Sequence, residues 1–253
     1  MLESVFSFPD LQELIFEYEC YNGPNLPGLK PVYHANLKNL LCCVATLSYL
    51  TLPALECLAV VPYDGQENQD ISWVDNVTAL IHRSECRLTD LHILEDACTS
   101  RGNYSFKKLF ALLAPTLVVF GLDPSSSPNT QEIIHSITRT ESSAGSLPCL
   151  EYLKFSIHEY YIDRDPIDFD SFVDAFTTTL ISLRDDDLAE KWHAPLLKQV
   201  SVICKNDTLI ARLRAACLDS LSSRGLEVGY AREPWTGVRT YEWHTTWYDR
   251  TRR

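Results

Sequence analysis

Two stretches of the chain, LPALECLAV at residues 52–60 and LPCLEYLKF at residues 147–155, share the pattern Leu-Pro-x-Leu-Glu-x-Leu-x-apolar. Reduced to apolar-x-x-apolar-x-apolar, the frame recurs as Leu11/Leu14/Phe16, Leu37/Leu40/Cys42, Leu55/Leu58/Val60 and Leu88/Leu91/Ile93. It continues as Leu117/Phe120/Leu122, Leu150/Leu153/Phe155 and Leu197/Val200/Val202. Proline stands two residues ahead of the first position in five of these seven units (Pro9, Pro53, Pro115, Pro148, Pro195). The starts lie 26, 18, 33, 29, 33 and 47 residues apart, so the repeat is irregular in length. A self-similar frame constrains the fold more than any other feature. No single unit can bury its apolar face alone, so the units must stack into one continuous core.

The alternating end of each frame suits a short strand with one face buried. Proline ahead of it marks the strand's start, where extended backbone is favoured and no ladder bond is yet needed. Between frames lie helical patterns. Val77, Leu80 and Ile81 share a face over 76–84, and 105–115 begins at a Ser105 cap and stops before Pro115. The segment 130–140 starts at Thr130 with Ile133, Ile134 and Ile137 on one side, and 170–184 aligns Phe172, Val173, Phe176, Leu180 and Leu183. The segment 206–225 has an Asn206 or Asp207 cap and Gly225 past its end, and a last strand follows over 226–230. The expected fold is α/β, a leucine-rich-repeat solenoid. A curved parallel sheet lines the concave side, with helices and irregular segments on the convex side. One repeat domain of about seven units is expected over 1–230, followed by an aromatic and arginine-rich tail over 231–253.

Residues 40–61 hold a single charge, Glu56, and have the length of a membrane span. The frame instead divides them into the end of one strand, Leu40–Cys42, a short connection with little room for a helix, and the next strand at Leu55–Val60. No membrane partner is expected. Nine cysteines, an odd number, show no CxxC or zinc spacing, and the amino terminus lacks the basic start of a signal peptide. Reduced, mostly buried thiols in a cytoplasmic or nuclear protein follow, and the sequons at Asn76, Asn103 and Asn206 are then chance matches. A formal charge of −12 and a pI near 5.0 repel phosphate backbones, so nucleic acid is not expected as a partner.

Chemistry-bearing motifs are few. Asp163, Asp165, Asp168 and Asp170 miss the glycine and the glutamate of a calcium loop, since Asp168 and Asp174 stand at those positions. They read as a solvated loop before a helix, as does Arg184–Asp187 at a helix end. No metal, no cofactor and no catalytic residue are assigned, because HExxH, GxSxG, P-loop and GxGxxG patterns do not occur. The alternative to a binding module is a hydrolase with a dispersed site centred on Cys43 or His92. The tail carries Trp235, Trp243 and Trp247 and five arginines against Glu233, Glu242 and Asp249. It can cap the last repeat, grip a protein through Trp and Arg, or stack nucleobases.

Residues between the frame positions should form the concave, partner-binding surface. They are Glu13, Ile15, Asn39, Leu41, Cys57, Ala59, Asp90, His92, Val119, Gly121, Tyr152, Lys154, Gln199 and Ser201. The early strands are expected to present an apolar strip (Ile15, Leu41, Ala59) and the later ones polar and aromatic groups, the composition of a protein-binding surface.

The segments LTLPALECLAV, ALIHRSECRLTDLHI, LPCLEYLKF and ACLDSLSSRGLEV resemble the leucine-rich-repeat region of the F-box-like proteins of mushroom-forming fungi. The resemblance implies repeats that present substrates and an amino-terminal F-box that binds the Skp adaptor of a cullin–RING ubiquitin ligase. Here the first repeat begins by Pro9, which leaves no room for an F-box. A Skp-type adaptor is therefore expected only if an F-box lies upstream. The expected function is a non-enzymatic protein-binding module, the substrate-recognition part of such an adaptor.

Overall fold

The structure, a computed structural model, describes residues 8–15, 30–61, 73–93, 106–122, 128–157, 169–204 and 206–231. Each frame forms a strand, and the strands lie side by side in chain order. They are β1 (Glu13–Ile15), β3 (Asn39–Cys43), β5 (Cys57–Val61), β6 (Asp90–Ile93), β7 (Val119–Leu122), β8 (Tyr152–Ile157), β9 (Gln199–Cys204) and β10 (Glu227–Ala231). Every neighbouring pair is parallel, so the protein is α/β with an eight-stranded parallel sheet. Two shorter strands, β2 (Val32–Tyr33) and β4 (Leu50–Thr51), pair in a second small sheet.

The register aligns the frames themselves. The middle position runs Leu14, Leu40, Leu58, Leu91, Phe120, Leu153, Val200 and Val228 across the sheet. Ahead of the strands the same hydrogen-bond device recurs. The carbonyl of Gln12 accepts from both Lys38 and Asn39 N–H, and that of Lys38 accepts from Glu56 and Cys57. Glu56, Thr89, Val118 and Glu151 carbonyls each accept from two successive residues in the same way.

Proline does more here than mark an extended start. Leu11, Leu55 and Leu150 donate their N–H to the carbonyls of Phe8, Leu52 and Leu147, three residues back. Pro9, Pro53 and Pro148 each occupy the second position of these turns, where a fixed φ is pre-set for the bend. Pro115 and Pro195 follow other geometry, because Leu117 and Leu197 donate to the helix-end carbonyls of Leu113 and Leu183.

Helices cover the core face of the sheet: α1 (Trp73–Ser84), α2 (Phe106–Leu113), α3 (Pro128–Ile137), α4 (Phe169–Leu183) and α5 (Asp186–Trp192). A last helix runs as α6 (Asp207–Leu213), a π turn (Arg214–Leu218) and α7 (Asp219–Ser223). The apolar stripes meet the frames as expected: Phe172, Val173, Phe176, Leu180 and Leu183 are all buried. Phe155 of β8 meets Phe176 edge-on with ring centroids 4.6 Å apart, and Phe110 meets Phe120 of β7 at 5.8 Å. Each such side chain contributes about 1.5–3 kcal/mol by leaving water. Asn206 caps α6 by accepting from Leu209 N–H at 3.0 Å, and Gly225, at φ +88°, turns the chain out of α7.

Four expectations change. Arg184–Asp187, read as a solvated helix end, does follow the end of α4 with Asp186 and Asp187 exposed, but it also starts α5, because Asp185 accepts from Leu188 N–H at 2.9 Å. Helix α1 begins at Trp73 and α3 at Pro128, each ahead of the predicted start. Residues 44–49, read as a plain connection, form a 3-10 helix, whose tighter winding fits the 18-residue repeat. Cys43, read as a reduced thiol, is disulfide-bonded. The acids Asp163, Asp165 and Asp168, the Ser105 cap and the tail after Ala231 lie outside the described residues. Among the described residues no helix is long and apolar enough to cross a membrane.

Arginines fasten the ends of helices to main-chain oxygens of neighbouring segments. Arg83, in the last turn of α1, donates to the carbonyls of Leu47 and Leu50. Arg184, just past α4, donates to Leu197 and Arg224 carbonyls. Arg139 is 1% exposed and donates to the carbonyls of Leu183, Pro148 and Pro195, at 2.7 Å to the last. Burial lowers its pKa, and its partners among the described residues are backbone oxygens. Replacing it with Met would strand those carbonyls in the interior. Arg139→Met should therefore destabilise the fold by about 3 kcal/mol in urea unfolding, whereas the exposed Lys107→Met should be neutral.

Candidate functional site

The face of the sheet opposite the helices is built by the residues that alternate with the frame. The register sets them in two continuous rows. One row runs Glu13, Asn39, Cys57, Asp90, Val119, Tyr152, Gln199 and Glu227. The other runs Ile15, Leu41, Ala59, His92, Gly121, Lys154, Ser201 and Gly229. All fourteen residues expected on this surface stand in these rows, in the expected order. Glu227 and Gly229 were missed because Gly225 occupies the first apolar position of the last unit, so the frame does not register there.

Exposure along the rows differs from expectation. Of the early apolar strip, Ile15 is 36% exposed, but Leu41 and Ala59 are buried. Val119 and His92 are buried too, so solvent is excluded from the middle of the face. Side chains on parallel strands stand about 4.8 Å apart and shield one another's flanks. The later strands, with Tyr152, Lys154, Gln199 and Ser201, are half-buried, and Glu227 is exposed.

One contact in the middle is specific. A Cβ placed on Gly121 would lie 2.1 Å from His92 Nδ1, so the imidazole lies across the space that a side chain at 121 would fill. Beside it, Thr89 Oγ1 donates to Asp90 Oδ2 at 2.8 Å. Burial, and then the charge and hydrogen bond of Asp90, push the Cys57 thiol far up from its usual range. Burial alone does the same to Cys42, and raises Cys86 to about 11. Thiols so held are poor nucleophiles near neutral pH, because the thiolate is the reactive form. Cys43, at the end of β3, is committed to its disulfide. Among the described residues no three His, Cys, Asp or Glu side chains are grouped to hold a metal ion.

Ion pairs line the start of the rows. Lys38 meets Glu56 at 3.0 Å, and Lys198 meets Glu151 at 2.7 Å, each pair joining residues that precede adjacent strands. As exposed pairs they contribute a few tenths of a kcal/mol and set charge pattern more than stability.

Gly121→Ala should push His92 out of its seat and lower the melting temperature, at a cost of about 1–3 kcal/mol for overpacking. Gly229→Ala, whose Cβ would meet only Ser201 Oγ at 3.3 Å, should cost far less in the same thermal scan. The raised thiols predict a pH dependence of known sign. Their stabilisation is fully present below the ordinary value of 9.0 and is lost as pH rises toward the folded value, about 11 for Cys86. Denaturant unfolding from pH 8 to 11 should show that decline, and Cys86→Ala should make it shallower.

Comparison with family models, with curated proteins and with solved structures returns no match, so what the chain does has to be argued from these rows and the frame behind them.

Proposed function

We propose that the chain is a non-enzymatic protein-binding module, a leucine-rich-repeat solenoid whose ligand lies on the face opposite the helices. The observation that carries the reading is the single register of eight parallel strands in chain order. It turns residues from eight separate segments into two unbroken rows, an extended surface of the kind that stacked repeats offer to a partner. The sheet curves with this face concave. The binding end is the later half, where Tyr152, Lys154, Gln199 and Ser201 combine an aromatic with polar donors and acceptors. The fungal F-box-like resemblance of the frame segments supports a substrate-receptor role in a ubiquitin ligase, with a Skp-type adaptor engaged only through an F-box upstream. The protein acts in the cytoplasm or nucleus. That placement rests on six described cysteines that form no disulfide, and Cys43 counts against it.

The hydrolase alternative centres on Cys43 or His92. With Cys43 in a disulfide, it would have to draw on His92 together with Asp90 and the Cys57 thiol on the adjacent strand. The raised Cys57 thiol weighs against it.

Affinity capture with the intact chain should retain a protein partner. Tyr152→Ala combined with Lys154→Glu should abolish that capture while leaving the melting temperature within a few degrees of the parent. Capture that survives the double variant, or that yields no protein partner at all, overturns the reading. Hydrolysis of ester or peptide substrates that is lost in Cys57→Ser would favour the alternative.

A further inference from the structure

Residues 8–15 carry the first strand of the large sheet. The Gln12 carbonyl accepts from the start of β3, β1 pairs with β3 over Glu13–Ile15, and Leu11 and Leu14 are only partly buried against the core. Two more fastenings reach this segment from the loop after β2. Asn36 Nδ2 donates to the Pro9 carbonyl at 2.9 Å, and His34 Nε2 lies 2.9 Å from the Phe8 carbonyl. Phe8 O also accepts from Leu11 N–H, so His34 grips the turn around Pro9 that aims the chain into β1. His34 is 4% exposed, and its own N–H is spent on the Thr51 carbonyl of β4.

The partners of the ring assign its two nitrogens. A carbonyl can only accept, so Nε2 carries the proton and donates to Phe8. The Asn36 N–H can only donate, at 3.3 Å, so Nδ1 is the acceptor. A second proton would set Nδ1–H against Asn36 N–H, donor against donor, and would place a charge in a buried site. The closed arrangement therefore holds the neutral imidazole. Among the described residues, the other titratable side chains of the surrounding segments are Asp10 and Glu13 before and on β1, Lys30, Tyr33 and Lys38 about β2, and Tyr49 ahead of β4. Lys38 is paired with Glu56 at 3.0 Å.

We infer that His34 is a pH-sensitive latch, whose protonation releases Phe8 and loosens residues 8–15 from β3 while the later strands stay folded. The neutral ring is the form the closed latch holds, so opening increases as pH falls. Glu13 and Ile15, which begin the two surface rows, leave with the segment, and Leu40 loses its neighbour Leu14. Acid thus shortens the face by one strand at its early end, whatever that face binds.

Hydrogen exchange read by mass spectrometry on the full chain tests this, with a synthetic peptide of residues 8–15 giving the unprotected rate at each pH. Between about pH 7.5 and about pH 5.5, protection over 8–15 should fall about tenfold, with β8 and β9 unchanged. His34→Gln keeps a neutral side-chain N–H for the Phe8 carbonyl and gains no proton, so its protection should be the same at both pH values. If that variant does not fold, Asp10→Asn combined with Glu13→Gln takes its place, and the fall should persist in it. Protection in the parent chain that does not change with pH overturns the latch. A fall that His34→Gln retains, or that the double variant abolishes, assigns the effect to another group and overturns it too. A loss that spreads equally to β9 is global unfolding and overturns it as well.

Discussion

Six backbone carbonyls, one ahead of each of β1, β3, β5, β6, β7 and β8, accept from two successive N–H groups at the start of the next strand of the large sheet. This repeated fork is the constraint on which the rest depends. A parallel strand of four to six residues has too few ladder bonds to hold its alignment alone, and a slip of one residue would turn its core side chains to the opposite face. The forked carbonyl and the strand behind it fix the phase of each unit against the last. Leu37, Leu55, Leu88, Leu117, Leu150 and Leu197 then all arrive fully buried one step earlier, on the same side of the sheet.

The frame was legible because burial at spacings of three and two is dictated by the pleat and the turn before it, and both leave apolar residues in the sequence. The helix stripes were legible for the same reason. What was not legible depended on groups whose partners are distant in sequence or are backbone. Asp185 looks like one more surface acid until its oxygen is seen to accept from Leu188 N–H. Arg139 looks like a polar residue in a loop, yet it sits in the interior because three carbonyls from different segments converge there. The small sheet of β2 and β4 joins two-residue strands that no periodicity can announce.

The face opposite the helices was placed correctly in register and misjudged in exposure. Alternation says which way a side chain points, but not what else crowds the surface. His92 shows this well: a histidine between apolar frame residues reads as a solvent-facing group. It is buried because its neighbour in the row is Gly121, whose missing side chain leaves room for the imidazole. The consequence for function is that the accessible chemistry moves to the later strands, with the tightly filled middle serving as rigid backing.

The arginines at the helix ends bear on how such a chain can diverge. Arg83, Arg139 and Arg184 each spend their donors on main-chain oxygens of neighbouring units. Every residue type carries a carbonyl, so these fastenings place no demand on which side chains the neighbouring unit displays. The 18-residue unit, held by Arg83, and the 47-residue unit, held by Arg139, are gripped in the same way despite their difference in length. Adjacent units are therefore joined without being made to co-vary. That leaves the surface rows free to change one strand at a time while the core beneath them holds.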